Sequence, residues 1–348
     1  METVWFFIIA AMLAVYVVLD GFDFGAGILH LFVAKNEGER RTVINAIGPF
    51  WDGNEVWLLA GGGVLVFAFP KAYAVGFSGF YLPLIMALWL LILRGISIEF
   101  RGLETNALWR SFWDGAFFFS SSLMAIILGA ALGNVIRGVP IGETGYFSGP
   151  LFTDFRVSEN PGVLDWYTVT VGVFALVVLT LHGALFLSYK TSGEVQKRSQ
   201  SLCLPLWFVM VLVGVLTTIA TAQVRPDLYR NLLGRPWTWV LAFGVIVSTV
   251  LIPLFVVRKR DLLAFLSSAG FIVCMLAATA AGLYPTMLTS TINREFDLTI
   301  HNAAAGPLSL KVGIIWWGIA IVLAVFYFVH LFRAFKGKVS PETDIYSH

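Results

Sequence analysis

The chain has 348 residues, 58% of them hydrophobic and only 13% charged, with a formal net charge of +2 and a mean hydropathy of +0.82. That composition excludes a soluble globular domain and describes a polytopic membrane protein. The near-neutral charge, with Lys and Arg confined to short clusters between apolar runs, excludes nucleic acid as a partner.

The first apolar stretch, Val4 to Val33, is long enough to cross a bilayer but contains Leu19-Asp20-Gly21-Phe22-Asp23-Phe24-Gly25-Ala26-Gly27. An aspartate at the centre of a bilayer helix costs roughly 2.5 to 3.5 kcal/mol on insertion scales, so the carboxylates are expected to pair, face a polar cavity or move protons. Asp20 and Asp23, three apart, share a helix face. Gly21 and Gly25 form a small-xxx-small pair on another face, where a neighbouring helix can approach closely. Met1-Glu2-Thr3 lacks the basic start of a signal peptide, so the first helix is expected to be retained.

Further apolar stretches run from Val56 to Phe69, Tyr73 to Ile98, Gly115 to Gly133, Val163 to Tyr189, Leu202 to Ala222, Trp239 to Val257, Leu262 to Leu283 and Val312 to Phe335. The expected fold is all-α, with about nine transmembrane helices as two four-helix bundles plus one peripheral helix. Residues 1–134 form the first bundle, 135–162 an outer loop rich in Pro, Gly and Ser, and 163–285 the second bundle. Residues 286–348 supply a second outer loop, the ninth helix and a tail. Lys and Arg are concentrated in the connections after helices one, three, five and seven and in the C-terminal tail, which places the N-terminus outside and the C-terminus in the cytoplasm. Val17-Val18-Leu19-Asp20-Gly21 is weakly echoed by Val177-Val178-Leu179-Thr180-Leu181-His182-Gly183 in helix five, as a duplicated architecture would require.

The second unusual stretch is Gly48-Pro49-Phe50-Trp51-Asp52-Gly53-Asn54-Glu55-Val56-Trp57 at the start of helix two. Asp52 can serve as an N-cap with Glu55 three residues on, a capping box between interfacial tryptophans. The same carboxylates can also begin a polar path inward. Arg94 lies within helix three, followed by Glu99 and Arg101, and Trp113-Asp114-Gly115 opens helix four at the same end. Asp52 and Asp114 are thus expected at the mouth of a column that passes Arg94 and ends at Asp23 and Asp20. A buried ion pair between Arg94 and an aspartate, fixing helix register, and a hydrated proton path both suit this pattern.

A b-type haem between helices needs axial ligands such as two histidines at matched depth. Of His30, His182, His301, His330 and His348, only His182 is deep, and a helix-to-helix hydrogen bond is the expected role for it. Cys203 and Cys274 form neither a CxxC nor a CxxCH pattern, so neither a disulfide framework nor a c-type haem is indicated. No cofactor or metal site is expected in this chain, and no certain catalytic residue.

At these motifs the sequence resembles subunit II of the cytochrome bd-type quinol oxidases, including the cyanide-insensitive branch. The resemblance rests on Leu19-Asp-Gly-Phe-Asp-Phe-Gly25, Glu39-Arg-Arg41 with Asn45, and Trp51-Asp-Gly-Asn-Glu-Val-Trp-Leu58. It extends to Phe77-Ser-Gly-Phe-Tyr81, Arg94, Phe100-Arg101 and Trp113-Asp114, is dense over the first 135 or so residues and diffuse beyond. The chain departs from the pattern at Gly95-Ile96, where other members have Pro-Val, and at Glu99, which is Asp elsewhere.

The resemblance implies a heterodimer with a haem-bearing subunit I, and in some members a small single-helix subunit, in the bacterial cytoplasmic membrane. Haems b and d would lie in the partner, where quinol would be oxidised and dioxygen reduced to water with protons drawn from the cytoplasm. Asp52, Asp23, Asp20, Glu55 and Asp114 would belong to the proton pathway, Asp52 at its entrance, with Arg94, Glu99 and Arg101 in charge pairing. Intramembrane carboxylates with an arginine and an approximate repeat also suit the rival expectation, a stand-alone proton-coupled transporter.

Overall fold

The computed structural model describes residues 1–340 and is built of helices. In chain order they are α1 (Glu2–Val33), α2 (Glu37–Ile47), α3 (Trp51–Ala68), α4 (Pro70–Gly79), α5 (Tyr81–Phe100) and α6 (Ala107–Arg137). There follow α7 (Trp166–Lys190), α8 (Gly193–Val224), α9 (Pro226–Leu233), α10 (Trp239–Val257), α11 (Asp261–Leu283) and α12 (Pro307–Ala334). A short antiparallel ribbon, β1 (Thr286–Leu288) with β2 (Leu298–Thr299), lies in the connection before α12. Among the described residues eight helices are long and apolar enough to cross a membrane. The protein is a multi-pass, all-α membrane protein. Residues 341–348 of the expected tail, His348 included, lie outside the described residues.

All nine apolar stretches are helical, with differences that have physical causes. The stretch 56–69 corresponds to α3, whose 18 residues begin at Trp51 and carry Asp52, Asn54 and Glu55 in their opening turns. The stretch 73–98, expected as one helix, is two, because Pro83 has no N–H for the Gly79 carbonyl and its ring crowds that turn. The chain turns at Phe80, and the Gly79 carbonyl instead accepts from Gly149 N at 3.2 Å. The connection after α1, expected as a loop, holds the amphipathic α2. Asn36 caps it by accepting from Glu39 N at 3.0 Å, and the Glu39 carboxylate accepts from Lys35 N at 2.6 Å.

α1 is the axis of the molecule. From Asp20 to His30 every residue is buried, because α3, α6, α7 and α11 surround this half of the helix. A helix apolar on all sides is a core helix, so Asp20 and Asp23 lie in protein rather than in lipid.

The closest approach is to α7. A Cβ on Gly25 would stand 2.2 Å from the Leu179 carbonyl oxygen, and one on Gly183 would stand 2.3 Å from the Gly25 carbonyl carbon. The glycines at this crossing allow backbone to touch backbone, which puts α7 on the Gly21–Gly25 face. The two helices whose sequences echo each other therefore cross at the centre. His182, one residue before Gly183, donates from Nε2 to the Val18 carbonyl at 3.0 Å and accepts at Nδ1 from the Ser268 hydroxyl at 2.6 Å, tying α7 to α1 and α11.

α12 rides on the outside of α1 and α3. Phe332 stacks on Phe50 at 4.7 Å, Phe328 tilts against Trp57 at 5.9 Å, and Trp5 Nε1 donates to the Leu310 carbonyl at 3.1 Å. Its other face, with Trp316 and Phe326, is exposed and apolar, as are long stripes of α8 and α10. Such surface suits a hydrocarbon surround.

Candidate functional site

Two polar clusters sit around the buried half of α1. In the inner one, Arg94 from α5 is 0% exposed and reaches Asp20 with Nη1 at 2.5 Å and Glu55 of α3 with Nη2 at 3.0 Å. Its guanidinium also lies 4.2 Å from the Phe24 ring centroid, a cation–π contact made on the same turn of α1. Asn54, 0% exposed, donates from Nδ2 to Asp23 Oδ2 at 2.8 Å and to the Leu19 carbonyl at 3.1 Å. Asp20 and Asp23 are thus on one face of α1, as their spacing requires, but are held by different helices and different partners.

Burial is graded along this line. Asp52 is exposed in the first turn of α3, Glu55 shares its face three residues on with 24% of its side chain exposed, and Arg94, Asp20 and Asp23 are fully buried. Asp20 Oδ2, Asp23 Oδ1, Asn54 Oδ1 and Arg94 Nε are buried and have no hydrogen-bond partner among the described residues. A line of acceptors and donors with spare capacity is what mobile protons or bridging waters need. The capping-box expectation is corrected. The N-cap of α3 is Phe50, no side chain caps the helix, and Glu55 turns to Arg94 because a buried guanidinium is a far better partner than an exposed backbone N–H.

The second cluster closes the end of the bundle. Asp114, 1% exposed, accepts from His30 Nε2 and Arg101 Nε at 2.5 Å each and from Arg40 Nη1 at 2.7 Å. Arg101 also makes a two-pronged pair with Glu37 at 2.9 Å, and Arg110 joins Glu37 at 3.2 Å. Burial pushes the Glu37 carboxyl up, but its hydrogen bonds to Arg101 outweigh that and hold it below the usual range. Alongside, Arg198 of α8 holds Glu39 at 2.6 Å, and these bonds likewise keep its carboxyl low.

Asp114 therefore anchors α1, α2, α5 and α6 together, apart from the Arg94 group, where the sequence placed it at the mouth of one shared column. Glu99 is corrected too. It is exposed and makes no ion pair with Arg94 or Arg101, since Ile98 and Ser97, not Glu99, share the buried face of α5 with Arg94. Sequence reasoning missed His30, read as a helix-end histidine, Arg40, counted as a topology-setting charge, Glu37, which it did not single out, and Asn54, present in the Trp-Asp-Gly-Asn motif but given no partner.

A chain of this kind, all-helical and multi-pass with a buried arginine and paired carboxylates on its central helix, is a membrane protein that manages charge in its interior. Its family follows from direct comparison: residues 1–335 match the cytochrome bd terminal oxidase subunit II family, and the chain belongs to that family. It is 33% identical to cytochrome bd ubiquinol oxidase subunit 2 of Bacillus subtilis (strain 168) over 315 residues, covering 90% of this chain and 89% of the relative. It is 27% identical to cytochrome bd-I ubiquinol oxidase subunit 2 of Escherichia coli (strain K12), over 97% of this chain and 95% of the relative. The fold is similar to that in the structure of bd oxidase from Geobacillus thermodenitrificans, with a TM-score of 0.75 and 19% identity over 96% of this chain and 98% of that one.

Membership of a bd oxidase implies haem in the complex, so the donors of this chain matter. Both ring nitrogens of His182 are engaged, and His30 gives its Nε2 to Asp114 and packs edge-on to Phe117. No group of three or more His, Cys, Asp or Glu among the described residues converges on a metal-sized site. Among the described residues the two fully buried histidines, His30 and His182, are each held by protein partners, an arrangement that does not fit a bis-axial haem.

Proposed function

We propose that this chain is the haem-free subunit of a quinol:oxygen oxidoreductase, pairing with a haem-bearing subunit I that binds haems b and d and oxidises the quinol. In this reading it supports the assembly of subunit I and carries part of the proton supply for reduction of dioxygen to water. The route enters at Asp52, passes Glu55 and the Arg94–Asp20 pair, and reaches Asp23. With the N-terminus outside, the Asp52 end faces the cytoplasm, so protons consumed from inside and released outside on quinol oxidation make turnover electrogenic without a pump.

The observation that carries the route is the carboxylate of Asp23. It is 0% exposed and held by a neutral amide on one oxygen while the other has no partner among the described residues. Asp20 is locked in an ion pair, which suits it to fixing charge and register. Asp114, saturated by one histidine and two arginines, is proposed to hold the helices at the entrance in place, next to the route rather than on it.

The test is Asp52→Asn in the purified complex, reading oxygen consumption per haem and the amount of assembled complex separately. The expected result is slower turnover per haem with assembly largely retained. Reduced assembly with unchanged turnover per haem would assign Asp52 a structural role.

A further inference from the structure

A crevice of about 330 Å³ opens between α8 and the turn joining α10 to α11. Its floor includes Leu185 and Cys203, both 1% exposed, and its walls include Leu204, 40% exposed, and Val257, 69% exposed. The volume lies at the lower end of the ~300–1,000 Å³ usual for small-molecule sites. Its walls continue into the apolar outer surface of α8 and α10, so it opens toward the membrane side of these helices.

Lys259 is the cation that lines the crevice, and the exposed Arg258 and Arg260 flank it in the turn after α10; none of the three has an acidic partner among the described residues. One carboxylate, Asp261, shares the rim with Ser201 and Lys259. It is already occupied, accepting from Gln196 and Gln200 at 3.1–3.2 Å and lying 3.9 Å from Lys338 Nζ. The turn beside the apolar slot therefore carries excess positive charge.

The backbone adds a second observation. Lys259 has φ +53, the left-handed conformation that ends α10 as Lys259 N and Arg260 N bond back to Val256 and Phe255. Glycine costs least in that position. Here the position is filled by a basic side chain that lines the crevice.

We propose that this crevice binds an anionic phospholipid, its phosphate at Lys259 and Ser201 with Arg258 next to them in the turn, and one acyl chain lying between Leu204 and Val257. A free phosphate has no use for the apolar walls, and a zwitterionic lipid gains little from three unpaired cations. Basic pockets between helices at a membrane surface are the recurrent solution for acidic headgroups. The site shares no residue with the Arg94 group and does not rest on the proton route.

The test uses the purified complex in neutral detergent, titrated with phosphatidylglycerol or phosphatidylcholine, reading amide hydrogen-exchange protection of residues 255–262. Lys259→Gly removes the charge at a position whose backbone favours glycine, and Arg258→Gln removes a second without touching the turn. Phosphatidylglycerol should protect the turn, and each variant should raise the half-saturating concentration about fivefold, equivalent to about 1 kcal/mol per basic residue. Phosphatidylcholine should protect weakly or not at all. Equal protection by both lipids, protection by inorganic phosphate alone, or phosphatidylglycerol titrations unchanged in both variants would each overturn the proposal.

Discussion

Replacing Arg94 with Gln tests how the inner charges are balanced. The guanidinium is 0% exposed and serves two carboxylates, Asp20 at 2.5 Å and Glu55 at 3.0 Å. Its removal leaves Asp20 buried with an uncompensated charge, a change that costs roughly 3–5 kcal/mol where one member of a buried pair is deleted. Asp20→Asn is milder. Arg94 keeps Glu55 and the Phe24 ring, and the amide oxygen still accepts, so the cost is that of weakening one charged hydrogen bond, about 1–3 kcal/mol. The double variant should destabilise by less than the sum of the singles, because each single leaves a partner stranded that the double does not, and coupling of contacting residues runs at about 0.5–3 kcal/mol. The assay is the thermal midpoint and yield of the complex in detergent for the wild type and the three variants. A double variant equal to the sum of the singles, or Asp20→Asn as damaging as Arg94→Gln, would refute the reasoning.

At the α1–α7 crossing, Gly25→Ala puts a methyl 2.2 Å from the Leu179 carbonyl oxygen, where only a shift of backbone can make room, and should cost about 1–3 kcal/mol or more. Gly62→Ala, which meets nothing within 4 Å, is the internal control and should leave the melting temperature unchanged or slightly raised. Glu39 is held low by its hydrogen bonds to Arg198, so its contribution to stability is present above the ordinary glutamate value of about 4.3 and is lost as pH falls through its lower folded value. Melting curves of wild type and Glu39→Gln should therefore differ at pH 6 to 7 and converge as the pH falls below about 4; a difference that persists at low pH contradicts the ion pair as its source.

The elements that the sequence exposed most clearly were those where physics penalises an alternative. Two aspartates and an arginine inside apolar helices had to find one another or water, and Arg94 does pair with Asp20. Gly21 and Gly25 on one face left room for a helix backbone, and α7 occupies it. His182, alone at depth, became a bridge between helices.

What was not legible depended on partners distant in the chain. Asp52 with Glu55 has the spacing of a capping box, and only the arrival of Arg94 from another helix decides that Glu55 points inward. The His30–Asp114–Arg101 group joins residues 84 positions apart across α1 and α6, which no local pattern reveals. The turn at Phe80 could have been read from Pro83, but an apolar run of transmembrane length masked it, and prolines in membrane helices often produce only kinks. α2 is amphipathic yet short, and its Arg40 and Arg41 stood out only as topology markers.

Oxygen consumption per haem by the Asp23→Asn complex bears most directly on the proton route. Asn keeps the size of the side chain and can still face Asn54, so assembly and haem content should match the wild type closely while turnover falls about a hundredfold, the lower end of the range for losing a proton-transfer group. Turnover per haem equal to the wild type, in a complex assembled to the same level, would contradict a route through Asp23.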